Sequence, residues 1–305
     1  MKAMFNLSQG LLILLTSFLF FSTSCTKDAD DDTDENQNNQ RQPRICRLNS
    51  LETENGLIQD SSTALFIYNK SNLLVSICGS EEGDSITIQY DADGRVNHTT
   101  YFDSQGITYA LNYKRIADKI IVTSTTVTDR QLVYSTDADG NVSRLEVKQL
   151  INQQWIVLAY VDFVWQQGNL SSLTYYTKVS GKAGCPLKSS GIGAIIVNSI
   201  FYCFAEIEND DYNREGFYKS VERIFTYDNK KNPFKDFQIF RYSEAGFYAG
   251  ENNVVALIER YYDSSGELID SYGDESIYSY NSDDFPVEMN QADTGWSYRE
   301  SYFYE

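Results

Sequence analysis

The sequence predicts a mainly β protein whose principal feature is one large antiparallel meander sheet, and three observations carry that prediction. The 305 residues include 23 Tyr and 17 Phe, 14% aromatics in all, and such side chains suit a pleated, half-buried surface better than a helix. Turn signatures, several of them ending in Gly, fall near residues 94, 106, 118, 129, 140 and 152, about twelve apart, the spacing of a meander with strands of roughly eight residues. Between the turns, apolar residues alternate with polar ones, so one face of the sheet is buried and the other wet.

The first segment is an address. Lys2 supplies a positive charge, residues 11–21 are an uncharged run rich in Leu and Phe, and Ser22-Thr23-Ser24 places small residues before Cys25. This is the layout of an export signal, too short for a bilayer span of ~20 apolar residues. The small-small-Cys ending resembles the bacterial lipoprotein signal, which implies cleavage after residue 24 and a diacylated Cys25 as mature N-terminus. Residues 25–45 follow as a tether, with six acids between Asp28 and Glu35 and then a run of amides. A stretch without large apolar residues has nothing to bury and stays solvated. Lys27-Asp28 after the lipid Cys resembles the export signal that sends Bacteroidetes lipoproteins to the outer face of the outer membrane; a periplasm-facing anchor is the other orientation.

Residues 46–305 then read as a single β-rich domain. Its four cysteines, Cys46, Cys78, Cys185 and Cys203, are disulfide candidates in an exported chain. Sequence order favours Cys46 with Cys78 and Cys185 with Cys203, each pair closing a local loop. Zinc finds no C-x-x-C spacing and no second His.

The repeat starts near residue 85. Tyr90-Asp91-Ala92-Asp93-Gly94 returns as Tyr101-Phe102-Asp103-Ser104-Gln105-Gly106, as Thr136-Asp137-Ala138-Asp139-Gly140, as Trp165-Gln166-Gln167-Gly168 and as Tyr262-Asp263-Ser264-Ser265-Gly266. Each puts a Gly able to take positive φ where a hairpin must reverse. Ala117-Asp118, Thr128-Asp129 and Asn152-Gln153 mark further turns. In the last strand Trp296, Tyr298, Tyr302 and Tyr304 share one face, and because the strand is terminal it is expected at a sheet edge. Residues 155–165 are apolar on both parities and call for a cover. The apolar run 191–205 is the expected covering segment.

Three further motifs carry a family resemblance: Phe225-Thr226-Tyr227-Asp228-Asn229-Lys230-Lys231-Asn232-Pro233-Phe234, Asn252-Asn253-Val254, and Tyr280-Asn281-Ser282-Asp283-Asp284-Phe285-Pro286. They resemble a family of Bacteroidetes lipoproteins of unknown function with a porin-like, strongly curled antiparallel sheet, and their turns resemble the YD repeats of Rhs-type proteins. The resemblance implies that the meander curls into a half-barrel or open barrel. Phe285 departs from it, since Gly usually precedes that Pro. The family implies no catalytic residue.

Chemistry is sparsely marked. With 25 Lys and Arg against 43 Asp and Glu, the net charge of −18 opposes nucleic acid through the phosphate term. His98 is the only His, and no nucleophile elbow accompanies it. Asp91-Ala92-Asp93-Gly94 and Asp137-Ala138-Asp139-Gly140 begin like calcium loops but lack the later ligands. No catalytic residue, metal site or cofactor is predicted. The expected function is a lipid-anchored binding or scaffold module of the outer membrane, at the cell surface or facing the periplasm. It would take a glycan or protein partner, with Trp296, Tyr298, Tyr302 and Tyr304 as the ligand-binding aromatics. A polysaccharide hydrolase using a carboxylate pair is the alternative.

Overall fold

The computed structural model describes residues 43–79, 85–102, 108–178, 216–242, 249–293 and 296–305. One turn, used five times among the described residues, organises the fold. In the turn beginning at Asp91, the first side chain accepts hydrogen bonds from the backbone N–H groups of Asp93 and Arg95 at 3.0 and 2.9 Å, and the fourth residue, Gly94, takes φ 72°. Asn69, Asp137, Asp263 and Asn281 make the same pair of bonds. Their fourth residues, Asn72, Gly140, Gly266 and Asp284, all have positive φ. An Asx side chain thus replaces missing backbone acceptors, and the left-handed fourth position selects Gly, Asn or Asp. Phe285 is accommodated because Asp284, not Phe285, takes the left-handed turn position.

These turns separate the strands β1 (Ile45–Glu54), β2 (Leu57–Tyr68), β3 (Leu74–Gly79), β4 (Ser85–Tyr90), β5 (Val96–Phe102), β6 (Thr108–Ile116), β7 (Lys119–Ser124), β8 (Arg130–Thr136) and β9 (Val142–Ile151). The series continues with β10 (Gln154–Gln166), β11 (Asn169–Thr177), β12 (Tyr218–Tyr227), a four-residue helix α1 (Gln238–Arg241), β13 (Val254–Tyr262), β14 (Leu268–Glu275), β15 (Ile277–Tyr280), β16 (Pro286–Asp293) and β17 (Trp296–Tyr304). From β2 to β14 each strand pairs antiparallel with the next. β15 pairs with β16, β16 with β17, and β1 joins β17 to β2. The seventeen strands therefore form one antiparallel sheet nearly closed into a barrel. Only Ser276 separates β14 from β15, so together they read as one strand that pairs first with β13 and then with β16.

The inner face is apolar, and the outer face mixes charged rows with exposed apolar residues such as Leu65, Ile67, Val164 and Ile258. The inner face carries the buried Leu48, Phe66, Ile88, Val122, Leu132, Leu145, Leu173 and Val221. On the outer face Ser135, Arg144, Asp162, Thr174, Glu222 and Arg260 follow one another from β8 to β13. Arg144 donates twice to Asp162, at 2.6 and 3.0 Å, and Arg260 donates to Glu222 at 3.2 Å. A membrane-spanning barrel has the reverse arrangement, with an apolar band outside.

The link between β12 and β13 fills the barrel. Asn232 donates to the Gly250 carbonyl at 2.8 Å and accepts from the Phe234 N–H at 2.9 Å, and Pro233 stops the chain from continuing as a strand. Phe234, Phe237 and Phe240 are then buried together at ring-centroid distances of 5.6 to 5.7 Å. They meet Phe66 on β2 and Tyr302 on β17. Gln238 donates to the Gly94 carbonyl at 3.0 Å, and Tyr134 donates to the Tyr242 carbonyl at 2.5 Å. This plug makes the lumen a packed core.

Several expectations change. β17 is bracketed by β1 and β16, so the chain terminus is not a sheet edge: pairing with β1 closes the ring. Ile45, assigned to the tether, opens β1 and is fully buried. Cys46 is disulfide-bonded but Cys78 is a free thiol, so these two are not partners. Leu65 pairs with Arg47 on one side and Cys78 on the other, which puts Cys78 two strand spacings, about 9.6 Å, from that edge of β1, beyond the roughly 7 Å reach of a disulfide. The partner of Cys46 lies outside the described residues, as do Cys25, Cys185, Cys203, Gly106 and the expected cover 191–205. Among the described residues nothing covers the outward side of β10, where Trp155, Ile156 and Val164 stay exposed.

Candidate functional site

Period two puts Trp296, Tyr298, Glu300 and Tyr302 on the inner face of β17. Antiparallel register places Glu54, Glu52, Ser50 and Leu48 of β1 opposite them in the same order. On the other flank, β16 sets Gln291 opposite Tyr298 and Met289 opposite Glu300. The row runs from the plug, where Tyr302 meets Phe234, to the opposite end of the barrel about 20 Å away.

Polarity changes along that row. Tyr302 is 6% exposed and its hydroxyl donates to Glu300 at 2.6 Å. Tyr298 donates to the other Glu300 oxygen at 2.9 Å. Burial pushes the Glu300 carboxyl above the usual carboxylate range, and the two tyrosine hydroxyls offset part of the rise. At 2% exposure, with both oxygens occupied, Glu300 is out of reach of a glycosidic oxygen and serves as a core hydrogen-bond acceptor. Farther out, Trp296 stacks on Tyr298 with planes 5° apart and centroids 6.3 Å apart, and its indole N–H donates to Glu52 at 2.9 Å. Both rings are partly exposed. Tyr304 lies at the plug end, where it donates to the Pro286 carbonyl at 2.6 Å and packs on Phe285. Of the four expected aromatics, the structure therefore brings Trp296 and Tyr298 to the mouth, keeps Tyr302 in the core and uses Tyr304 to close the opposite end.

Sequence reasoning missed a second group. Arg223, 4% exposed, donates to Glu259 and, at 2.8 Å, to the Tyr175 hydroxyl. Glu259 also accepts from Tyr261 and faces Tyr272 on β14. Burial first, and then the Glu259 carboxylate, raise the Tyr261 hydroxyl pKa. The available signal was an acid or base at a core parity, as with Glu300 between Tyr298 and Tyr302. His98 lies on the outer face of β5 between Asn112 and Thr100, at 2.9 and 3.1 Å. Among the described residues no group of His, Cys, Asp or Glu side chains could hold a metal ion.

The arrangement can stack an apolar ring face on Trp296 and Tyr298 and offer Glu52 as a hydrogen-bond acceptor beside them, the equipment of a binding surface. No protein-family profile and no curated protein matches the sequence. Among solved structures, the chain is similar to a porin-like protein from Bacteroides uniformis, at 10% identity and TM-score 0.46 over 86% of this chain and 98% of that one. It is also similar to a porin-like protein from Bacteroides vulgatus, at 10% identity and TM-score 0.40 over 87% and 99%.

Proposed function

We propose that this chain is a lipid-anchored binding or scaffold module of the outer membrane, held through Cys25, which presents the aromatic mouth of its barrel to a glycan. The observation that carries the reading is the inversion of the barrel. With charged pairs outside and a plugged aromatic core inside, the sheet is suited neither to crossing a bilayer nor to conducting solutes. Its remaining resource is surface. The partly exposed Trp296 and Tyr298 beside Glu52 supply stacking and a hydrogen-bond acceptor together, as a pyranose ring requires.

Affinity electrophoresis through gels containing soluble polysaccharides tests this reading. The native chain is retarded by at least one polysaccharide, and Trp296→Ala removes the retardation while leaving the melting temperature within a few degrees. Tyr302→Ser, in the core, lowers the melting temperature instead. Unchanged retardation in a folded Trp296→Ala protein would exclude the mouth as the binding surface.

A further inference from the structure

β14 is the one long strand whose second flank no described strand occupies. The N–H of Ser276 bonds to the Val255 carbonyl on β13. Antiparallel alternation then turns the peptide groups of Asp270, Tyr272 and Asp274 towards β13 and those of Ile269, Ser271 and Gly273 away from it. The Ser271 N–H confirms the phase, since it is taken locally by Asp270 Oδ1 at 2.9 Å. All eight residues of β14 are exposed. Towards Ser276 the free flank converges on β16, where Gln291 donates to the Ser276 hydroxyl at 2.8 Å. Among the described residues the result is a wedge in the barrel wall, open at the end away from the plug.

Natural sheet edges are commonly blunted by Lys, Pro or an added covering element. β14 instead exposes Leu268, Ile269 and Tyr272 at 55, 66 and 57%, and Ile277 follows at 73%. Charge points to what this edge admits. Between Arg260 and Arg299 the sequence holds nine Asp and Glu and no Lys, Arg or His. A second copy paired edge to edge would set acids against acids, which is unfavourable across a strand pair. A basic strand would gain both the ladder and the charge complement.

We propose that the free flank of β14 is a docking edge for an extended, Lys- or Arg-bearing segment of another protein, added as a strand antiparallel to β14. The proposal rests on the binding-module reading but uses a different surface from the aromatic mouth. A Trp296→Ala defect in polysaccharide retention and a β14 defect in peptide binding are therefore separable.

The test uses the full chain in detergent and a blocked peptide of about eight residues alternating Lys with Val, long enough to span β14. The peptide binds and slows amide exchange at residues 269–275, whereas the matching Glu/Val peptide does not. Gly273→Pro removes an edge-facing N–H without breaking the ladder to β13 and weakens binding at least about tenfold with the melting temperature retained. Asp270→Lys combined with Glu275→Lys, both exposed, does the same and supplies a second variant should Gly273→Pro fail to fold. The proposal is overturned if the native chain ignores the Lys/Val peptide, if the Glu/Val peptide binds equally, or if the folded variants bind as the native chain does. Concentration-dependent self-association that Gly273→Pro abolishes would make a second copy the occupant and overturn it too.

Discussion

Glu300 shows how one side chain can couple the core to pH. Its folded pKa lies above the unfolded value of about 4.3, so over a window above that value the native state keeps a proton that the unfolded chain has released. Stability is therefore full below about pH 4.3 and declines as pH rises through the folded pKa. Glu300→Gln retains hydrogen-bonding partners for both tyrosine hydroxyls without the buried charge. Its melting temperature should match the native chain at pH 4 and exceed it at pH 8, as read by thermal unfolding across that range. An advantage independent of pH would show that Glu300 is not the group responsible. Such a residue is only half legible in sequence. Its parity between Tyr298 and Tyr302 marks it as inward, but its isolation from solvent depends on Ser50 and Met289, which come from strands far away along the chain.

At the scale of the element, turns and plug make different predictions. Gly140 takes φ 82° and an added Cβ would meet nothing within 4 Å, so Gly140→Val costs only backbone strain, about 1–3 kcal/mol. A denaturant titration that finds no loss would mean the turn relaxes into another type. Phe240 has 0% exposure and lies among Phe234 and Phe237, so Phe240→Ala opens a cavity at a cost of about 3–5 kcal/mol. An increase in binding of a hydrophobic dye accompanies that loss if the plug loosens, and a cost below 1 kcal/mol would show that the plug is not core. The turns were readable because their chemistry is local: an Asx side chain and a left-handed residue three positions later settle the geometry within five residues. The turn at Asn69 escaped notice because Asn72 replaces Gly. The plug was not readable, since Asn232-Pro233 marks a break in the strand without saying where the next ten residues go.

For the whole molecule, residues 44–304 form one compact unit, and anchoring and disulfide chemistry become linked. If Cys25 carries the lipid, its sulfur is unavailable for a disulfide, and the partner of Cys46 must be Cys185 or Cys203. Non-reducing peptide mapping of the mature protein should show that crosslink, with Cys78 alkylated as a free thiol. A Cys25–Cys46 peptide would contradict the lipid anchor. Cys25→Ala should leave an uncleaved precursor, and a chain starting at Arg44 should be recovered without detergent.

The sequence by itself determined the strand class, the wet and dry faces and most hairpin positions, because alternation and turn chemistry act over two to five residues. Only the tertiary structure decided that the last strand closes on the first, that the β12–β13 link fills the barrel and that no described strand pairs with the second flank of β14. Each of these depends on contacts between residues tens to hundreds of positions apart. Ring closure, unlike a turn, places no requirement on any short stretch of chain: Tyr302 meets Leu48 because the intervening strands bring β17 back to β1, and no local pattern near either residue specifies that meeting.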